Sequence, residues 1–323
     1  MTALRALTWH VHGSYLYYLS QVPVTWYLPV RRQDGEDIGG EGYGGRTPSF
    51  PWPDNVVEVQ ASDVADLELD LVVTQHRTNW ETDRHALLGA RVDELPRVHV
   101  EHDPPHGWPN DALHPVQDEA TTLVHVTPFN ELMWDNGVTP TRVVDHGVLV
   151  PDDVPWTGET AAAITVVNNL YRRGRRLGPD VFDDVAAQVP VDLAGMNGEA
   201  HPRWLGDVRL PDLHRRLPSY RCLFNPIRYT SMGLAVCEAM ALGLPVVGLA
   251  TTEMATAVQN GVNGYVTTDR RALAGHVQRL LDDPDEAAEL SAGARTLARE
   301  RFGIDRFVRD WLAVLHEAAG VAA

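Results

Sequence analysis

The chain alternates between short apolar runs and longer stretches that have the periodicity of a helix. In the first half the apolar runs are ALRALTW, NVVEVQ, DLVVTQ, RVHVEH, TLVHVT and TRVVDHGV. In the second half they are AAITVVNN, PVDLAG, YRCLFNP, PVVGLA and GYVTTD, interleaved with GPDVFDDVAAQ, LPDLHRRL and GLAVCEAMAL. Such alternation is typical of parallel sheets flanked by helices. The sequence therefore predicts the α/β class.

The length of the chain favours two such sheets rather than one. Single cores stop growing well below 323 residues, and longer chains divide into domains. The stretch PDDVPWTGET, residues 151–160, has the composition of a linker, whereas the Gly- and Pro-rich stretch 31–55 predicts a long loop. We therefore predict a first domain over 1–150 and a second from 151, with functional loops after the strands and a cleft between the sheets.

Charge and cysteine usage narrow the classes of partner. The net charge is −17, the chain contains no lysine, and 22 acidic residues stand against 9 arginines in residues 1–150. Nucleic acid and anionic membrane surfaces are therefore disfavoured as partners of that half. Cys222 and Cys237 lie in apolar segments and predict buried thiols, as in a reducing cytoplasm. No run reaches the length of a membrane span, so neither a signal peptide nor stable membrane insertion is expected.

Glu238 is the sole formal charge in the apolar stretch YTSMGLAVCEAMALGLPVVG, residues 229–248. The loop before it enters a helix whose first turns are predicted to carry Ser231, Gly233 and Leu234, and such a helix start binds anions. Glu238 then lies about two turns further on, roughly 10 Å from Ser231. That spacing suits a nucleoside diphosphate, with the ribose hydroxyls on Glu238. The alternative is a structural glutamate paired with an arginine.

The run from Asn225 to Val266, with GLAVCEAMALGLPVVG followed by NGVNGYV, resembles the signature of retaining glycosyltransferases of the GT-B fold, family 4 type. The resemblance implies two Rossmann-like domains facing across a cleft. The nucleotide-sugar domain would end at 302, and a last helix, 303–323, would cross back onto the first domain. In this family two glutamates are separated by seven residues.

The second glutamate of the family binds the ribose, and it corresponds to Glu238. The first contacts the donor sugar, and its position holds Thr230, which is a departure from the pattern. Backbone amides between the two hold sugar and diphosphate, which here implies Ser231, Met232, Gly233 and Leu234.

A second matching segment is VVNNLYRRGRRLG, which resembles the strand and basic pair that clamp the diphosphate. The Lys-Gly of the family appears as Arg173-Gly174, and its earlier arginine is replaced by Asn169. Compensating cations would come from Arg172, Arg175, Arg176 or Arg228. The alternative for RRGRR is a solvated turn at a helix start.

The first half carries the matching positions of the other domain. RVHVEHDPP resembles the strand that ends in a histidine near the donor sugar, which implies a catalytic role for His102 with Asp103 beside it. WHVHGSYLYYL takes the place of a glycine-rich turn, which implies Gly13 near the donor and Ser14, Tyr15 and Asp103 near the acceptor. The histidines His99, His102, His106 and His114 raise the alternative of zinc, but their spacing in a Pro-rich loop disfavours a metal site.

The resemblance implies transfer of a hexose-type sugar from a UDP- or GDP-sugar to an acceptor hydroxyl, with retained anomeric configuration. No metal and no cofactor are expected, because Arg173 and the helix amides would stabilise the leaving diphosphate and His102 would orient the sugar. The acceptor would be a small molecule, a glycan or a neutral carrier. Two alternatives stay open, a catalytically weak sugar-nucleotide or glycan-binding relative and a sugar-nucleotide epimerase on the same scaffold.

Overall fold

The chain forms two compact units in the computed structural model, which describes residues 3–33 and 36–321. Unit 1 combines the described residues up to Asp145 with those from Ile304 onwards. Unit 2 spans His146–Gly303. Each unit is built around its own parallel sheet.

Within its described residues, unit 1 contains a seven-stranded parallel sheet. The strands are β1 (Arg5–Leu7), β2 (Thr25–Val30), β5 (Val56–Gln60), β6 (Leu71–Thr74), β7 (Arg97–Glu101), β8 (Thr121–His125) and β9 (Thr141–Val143). Two short segments, β3 (Arg32–Gln33) and β4 (Glu36–Asp37), form a separate antiparallel pair.

The strand order of this sheet is β5-β2-β1-β6-β7-β8-β9. The chain extends the sheet on one side of β1 first and then returns to add β6 on the other side. β6 is buried along its whole length, as expected for a parallel strand covered on both faces. The reversal between β1 and β6 is a topological switch point, the place where open α/β sheets bind ligands at the carboxyl ends of their strands.

The helices of unit 1 come from its N-terminal segment and from its C-terminal segment. They are α1 (Gly13–Leu19), α2 (Arg84–Leu88), α3 (Pro128–Met133) and α10 (Ile304–Ala318). α10 is amphipathic and buries Phe307 and Trp311 completely. The indole Nε1 of Trp311 donates to the Tyr15 hydroxyl at 3.1 Å, so the last helix is tied to the first.

Unit 2 contains, among the residues that the structure describes, a five-stranded parallel sheet. Its strands are β10 (Thr160–Val166), β11 (Val191–Ala194), β12 (Tyr220–Asn225), β13 (Val246–Leu249) and β14 (Gly264–Thr267), in the order β11-β10-β12-β13-β14. Its helices are α4 (Pro179–Ala186), α5 (Leu210–Arg216), α6 (Leu234–Ala241), α7 (Met254–Ala257), α8 (Leu273–Asp282) and α9 (Pro284–Arg301).

The switch point of unit 2 lies between β10 and β12, because the chain adds β11 on one side of β10 and β12 to β14 on the other. The core of this unit packs the sheet against α4 and α8, with Phe182, Phe224 and Leu280 fully buried. Cys222 and Cys237 are also buried in this unit and form no disulfide, as predicted. Across the described part of the chain, no helix is both long and apolar enough to cross a bilayer.

Two elements differ from the sequence-based expectation. β2, with the sequence TWYLPV, is an inner strand that the apolar pattern did not predict. It contains Pro29, which cannot donate a ladder hydrogen bond and argues against a central strand. Burial of Trp26, Leu28 and Val30 outweighs that loss. The predicted loop 31–55 is anchored to the sheet by single bridges, His10 to Gly42 and Val30 to Gly44.

Candidate functional site

The first candidate site is at the switch point of unit 2, where the loops after β10 and β12 meet. We call residues 167–178 and 226–234 the unit 2 corner. The amide of Arg228 donates to the Arg176 carbonyl at 2.9 Å and thereby joins the two loops. Gly178, at φ +74°, comes so close that an added Cβ would lie 2.0 Å from the Pro226 carbonyl oxygen. The corner is therefore a tightly built junction.

Helix α6 starts at this corner, but later than predicted. Its first residue is Leu234, and Gly233 is the N-cap with extended backbone, so Ser231 precedes the helix. The Ser231 carbonyl accepts from Thr252 Oγ1 at 3.3 Å, and the Met232 carbonyl accepts from His146 Nε2 at 2.9 Å. These two carbonyls are bonded by side chains from outside the helix, and the extended backbone of Gly233 marks its start. Glu238 is consequently one turn, about 6 Å, from the helix start rather than two turns from Ser231.

The start of α6 has the properties of an anion site. No side chain caps it among the described residues, so its first amides keep their donor capacity. A Cβ built on Gly233 meets no atom within 4 Å, which leaves the backbone open to a ligand. The partial positive charge of the helix N-terminus adds to the attraction for an anion.

The arginines of the corner differ in their hydrogen-bond and ion-pair partners. Arg228 makes two hydrogen bonds to Asp180, at 2.5 and 2.7 Å, and Arg175 lies 3.1 Å from the same carboxylate. The bond from Arg228 lowers the pKa of Asp180 to about 2. Arg172 lies 3.4 Å from Glu199. Arg173 is exposed and makes no side-chain hydrogen bond or ion pair with the residues that the structure describes.

Asn169 stands at the position of the family arginine, and its backbone conformation and hydrogen bonds give it a structural role. It adopts a left-handed backbone, φ 59°, and its Oδ1 accepts from Asn197 Nδ2 at 2.6 Å. Asparagine tolerates this conformation better than arginine does. Asn169 therefore joins the loops after β10 and β11 and adds no positive charge to the corner.

Glu238 lies in α6 with a protein neighbour that the sequence did not predict. Its Oε2 is 3.6 Å from Nε2 of His214 in α5, and the two side chains are 4% and 5% exposed. The alternative weighed from the sequence was an arginine partner, and the contact that the structure gives is to a histidine. His214 Nε2 makes no hydrogen bond within the described residues. The buried carboxylate is thus accompanied by an imidazole, and the predicted ribose contact of Glu238 stays a prediction.

Thr230 is half-buried in the loop that precedes α6. Its side chain makes no hydrogen bond to any residue that the structure describes. A hydroxyl in this position can donate and accept, but it supplies no charge. The structure therefore keeps Thr230 beside the open backbone of Gly233 with its hydrogen-bonding capacity unspent.

The second candidate site is a cavity of about 500 Å³ in unit 1, which we call the unit 1 cavity. It lies at the switch point, because the segments after β1, β6 and β7 supply its walls. Its lining side chains are Val11, His12, Glu41, Gln75, His76, Arg77, His99, Glu101, His102, Asp103, Pro104, His106, Leu113, Pro115 and Trp134. His102 and Asp103 are therefore in one cavity, as their adjacency in the sequence allows.

The ring of His102 is held in place by aromatic contacts. It packs edge-on against Tyr15 with 4.5 Å between centroids and lies 4.2 Å from the ring of His12. Tyr15 itself is 2% exposed and its hydroxyl is bonded to Trp311, so Tyr15 supports His102 from the core. Burial lowers the pKa of His12, which favours the neutral imidazole in this stack.

Gly13 and Ser14 open helix α1 next to the same region. A Cβ on Gly13 would lie 2.9 Å from Phe50 Cε2 and 3.1 Å from His10 Nε2, so a larger residue would displace both rings. Ser14 is half-buried. Neither residue lines the unit 1 cavity.

Two cavity residues, His99 and Glu101, and the adjacent His114 have ligand atoms close enough to hold a metal ion, all within 4.8 Å of one another. Hydrogen bonding argues against that use. His114 Nδ1 accepts the amide N–H of Val116 at 3.1 Å, so the ring proton is on Nε2, which donates to Glu101 Oε2 at 3.0 Å. A metal-bound histidine instead donates its second nitrogen to an acceptor. The trio is better explained as a hydrogen-bonded support for Glu101.

The chain was compared with known proteins and families. Residues 184–283, which include the whole of α6 and the loop before it, match the model of the family Glycosyl transferases group 1. This segment is similar to that family. It contains the start of α6 and both Glu238 and His214.

Curated relatives agree with the family match. A D-inositol 3-phosphate glycosyltransferase of Thermobispora bispora is 42% identical over 129 residues, which are 39% of this chain and 28% of the relative. Another of the same name from Xylanimonas cellulosilytica is 39% identical over 165 residues, 44% of this chain and 39% of the relative. The chain thus spans well under half the length of these relatives.

Solved structures match almost the whole chain. Sucrose-phosphate synthase from Thermosynechococcus elongatus has a TM-score of 0.66 at 17% identity, covering 98% of this chain and 99% of that structure. Anabaena Alr3699/HepE, solved in complex with UDP and glucose, has a TM-score of 0.67 at 15% identity, covering 97% and 99%. At these identities the likeness establishes the fold. The predicted fold class, two parallel α/β domains of the GT-B type, is confirmed.

Several residues of the candidate sites were not found by sequence reasoning. Helix α6 and the loop before it are contacted by three residues distant in sequence, His214, His146 and Thr252. The wall of the unit 1 cavity includes Gln75. A signal existed for Gln75, because it directly follows the apolar run of β6 and ligand residues often follow such strands. The three others become visible through tertiary contacts.

Proposed function

We propose that this protein is a retaining glycosyltransferase that moves a hexose-type sugar from a nucleoside diphosphate donor to an acceptor hydroxyl. The observation that carries the proposal is the unit 2 corner, where an unpaired Arg173 accompanies the uncapped start of α6. Fixed positive groups at a switch point are what a diphosphate requires. The family match over residues 184–283 includes the loop 226–234 and the start of α6, and it supports the assignment.

The proposed chemistry places the developing negative charge of the leaving diphosphate on Arg173 and the α6 amides. Charge stabilisation by preorganised donors is commonly the largest single contribution to catalysis. The acceptor hydroxyl loses its proton to the departing diphosphate on the same face of the sugar, so the anomeric configuration is retained. No side chain acts as a nucleophile in this scheme, and no metal ion is required, because the arginine and the helix start take its place.

The donor is proposed to be a UDP- or GDP-sugar. Structural neighbours solved with UDP and with UDP-glucose support a uridine nucleotide. Glu238 is proposed to accept the ribose hydroxyls, with His214 as its protein neighbour. Ser231, Met232, Gly233 and Leu234 are proposed to hold the sugar and diphosphate, and Thr230 to contact the donor sugar.

The decisive experiment is product analysis with a panel of UDP-, GDP- and ADP-sugars, on the native chain and on two arginine variants. Arg173→Ala is expected to lower donor turnover by about 100-fold, the order found when one charge-stabilising group is removed. Arg172→Ala is the matched control, because Arg172 belongs to the same loop but is turned to Glu199. It should retain turnover.

Other outcomes of this experiment would contradict the proposal. Tight nucleotide binding without turnover on any donor would indicate a binding protein. Interconversion of the sugar without nucleotide release would indicate an epimerase. Equal loss of turnover in the two arginine variants would show that Arg173 has no specific role.

A further inference from the structure

Carboxylates outnumber arginines in the wall of the unit 1 cavity. Three carboxylates line it, those of Glu41, Glu101 and Asp103, against one arginine, Arg77. Arg77 is already engaged, because its Nε donates to Glu81 Oε1 at 2.6 Å one turn along the chain. The cavity is therefore lined by negative charge that no unengaged arginine of its wall offsets.

Among the imidazoles that line the cavity, His106 Nε2 lies 3.8 Å from Asp103 Oδ1, whereas His12 is half-buried and His99 is buried. Burial lowers the pKa of His12 and holds that of His99 well below its ordinary value, so both favour the neutral form. The carboxylates Asp103, Glu101 and Glu41 all act on His12 in the opposite direction, which shows that their charges converge on one region. Burial lowers the pKa of His12 by more than these carboxylates raise it.

Glu101 is held in position by its own hydrogen bonds. Its Oε1 accepts from the Asp103 amide at 2.8 Å and its Oε2 from His114 at 3.0 Å. The Asp103 carbonyl in turn accepts from Trp134 Nε1 at 2.9 Å. The segment that carries the carboxylates of Glu101 and Asp103 is thus fixed before any ligand arrives.

Gln75 adds a polar group whose acceptor is not used by the protein. The residue lines the cavity and is 2% exposed. Its Nε2 donates to Thr8 Oγ1 at 3.0 Å and to the Trp9 carbonyl at 3.2 Å. Its Oε1 has no hydrogen-bond partner within the described residues. A buried acceptor without a donor is costly, which indicates a ligand that supplies hydroxyl or amino hydrogens.

Part of the wall is apolar and suits a ring. Leu113, Pro115 and Trp134 supply it, and the Trp134 indole is fixed edge-on against His114 with 4.9 Å between centroids. Small-molecule sites combine such apolar walls with a few placed polar groups. A polyhydroxylated ring fits this combination, with its C–H faces on the apolar wall and its hydroxyls toward Gln75 and the carboxylates.

We propose that the unit 1 cavity binds an acceptor that is a polyol ring bearing a protonated amino group, and that it discriminates against phosphorylated rings. The proposal rests on the proposed function, since it names the acceptor class of that reaction. It separates this chain from relatives whose names specify a phosphorylated acceptor. The ammonium would pair with Glu41 and Asp103, whereas a phosphate would be repelled by the three carboxylates of the wall.

The test uses three sugars that differ at one carbon: 6-amino-6-deoxyglucose, glucose and glucose 6-phosphate. Binding to the full chain is measured by ligand-observed NMR titration near neutral pH. The amino sugar is expected to bind about tenfold more tightly than glucose, as for one charge-assisted contact, and glucose 6-phosphate should not bind. Glu41→Gln and Asp103→Asn should each remove most of the preference for the amine.

Glu119→Gln is the control, because Glu119 is exposed in the same unit, lies outside the cavity and changes the net charge equally. It should leave the preference intact. Binding of glucose 6-phosphate as tight as that of the amino sugar would overturn the proposal, and so would binding of none of the three. UDP affinity, measured on the same sample, reports on unit 2, so loss of the proposed function is distinguishable from loss of the acceptor assignment.

Discussion

At the scale of single residues, Glu238 shows how a buried charge depends on its neighbours. The side chain is 4% exposed, and its Oε2 lies 3.6 Å from Nε2 of His214. That distance is longer than a hydrogen bond, so this contact is electrostatic. A buried carboxylate is stable only when paired and hydrogen-bonded. A ligand hydroxyl is the contact that the proposed function would add.

Glu238→Gln is expected to weaken the affinity for the nucleoside diphosphate by about 10- to 100-fold, because a hydrogen bond to a charged group contributes about 1.5–3 kcal/mol. The affinity is measured by isothermal titration with UDP and GDP. The melting temperature of the variant serves as the control for folding. An unchanged affinity in a folded variant would refute the ribose contact and leave Glu238 with a structural role toward His214.

Thr230→Glu tests the departure from the family pattern at the position of the first glutamate. If threonine has replaced the glutamate without gaining a role of its own, the variant should turn over its donor faster or accept more donor sugars. Initial rates over a panel of UDP- and GDP-sugars measure both effects. A folded but inactive variant would show that the pocket has been shaped around threonine.

At the scale of elements, the junction between the loops after β10 and β12 decides where the charged groups lie. Asp180, at the start of α4, holds Arg228 and Arg175, and this leaves Arg173 as the loop arginine that is turned to no described partner. The carbonyls of Ser231 and Met232, in the loop before α6, are bonded by Thr252 and His146. The corner is therefore shaped by contacts between loops rather than by any one loop.

Gly178→Ala is expected to destabilise unit 2 more than Gly174→Ala. Both glycines have a left-handed backbone, φ 74° and 67°, which costs any larger residue about 1–2 kcal/mol. A Cβ at 178 would also lie 2.0 Å from the Pro226 carbonyl oxygen, whereas one at 174 meets nothing within 4 Å. The overlap should add about 1–3 kcal/mol to the free energy lost, as in other overpacked sites.

Urea unfolding of the two glycine variants gives the comparison directly, since the backbone strain is common to both. Gly178→Ala should also lower nucleotide affinity, because the displaced Pro226 loop leads into α6. Equal destabilisation of the two variants would show that the loops after β10 and β12 separate easily, and would argue against a preformed corner.

At the scale of the whole molecule, the two units present different surfaces to ligands at their two switch points. The unit 2 corner combines an arginine and a helix start, and the unit 1 cavity combines carboxylates with imidazoles, among which burial lowers the pKa of His12 and His99. Nucleoside diphosphates should therefore stabilise the chain through unit 2. The excess of acidic residues in the first half of the sequence agrees with this division.

A thermal-shift measurement tests this division on the intact chain. UDP or GDP at 100 times its dissociation constant adds about 2.7 kcal/mol to the stability of the unit that binds it. For a unit of this size that corresponds to a rise of about 5–10 °C in its melting temperature. Arg173→Ala should reduce the shift at the same concentration, and Arg172→Ala should not. A shift that is equal for both variants would place the nucleotide elsewhere.

The sequence by itself determined the α/β class, most strands and the helical tail, because apolar runs and helix periodicity are local properties. It also predicted α6 from its apolar run, although it placed the start of the helix too early, at Ser231 instead of Leu234. β2 was missed because Pro29 weakens the strand pattern while burial of Trp26 and Leu28, a tertiary effect, stabilises it.

Tertiary structure alone decided which groups of each site remain available. Asp180 and Arg228 are 48 residues apart, and Gln75 and Thr8 are 67 apart, so no local pattern shows that they are paired. Those pairings leave Arg173 unengaged in unit 2 and the Gln75 Oε1 without a donor in unit 1. Strand order, which follows from the packing of the whole sheet, brings such residues together at the switch points. The chemistry of both sites therefore depends on long-range contacts, whereas the fold class depends on local ones.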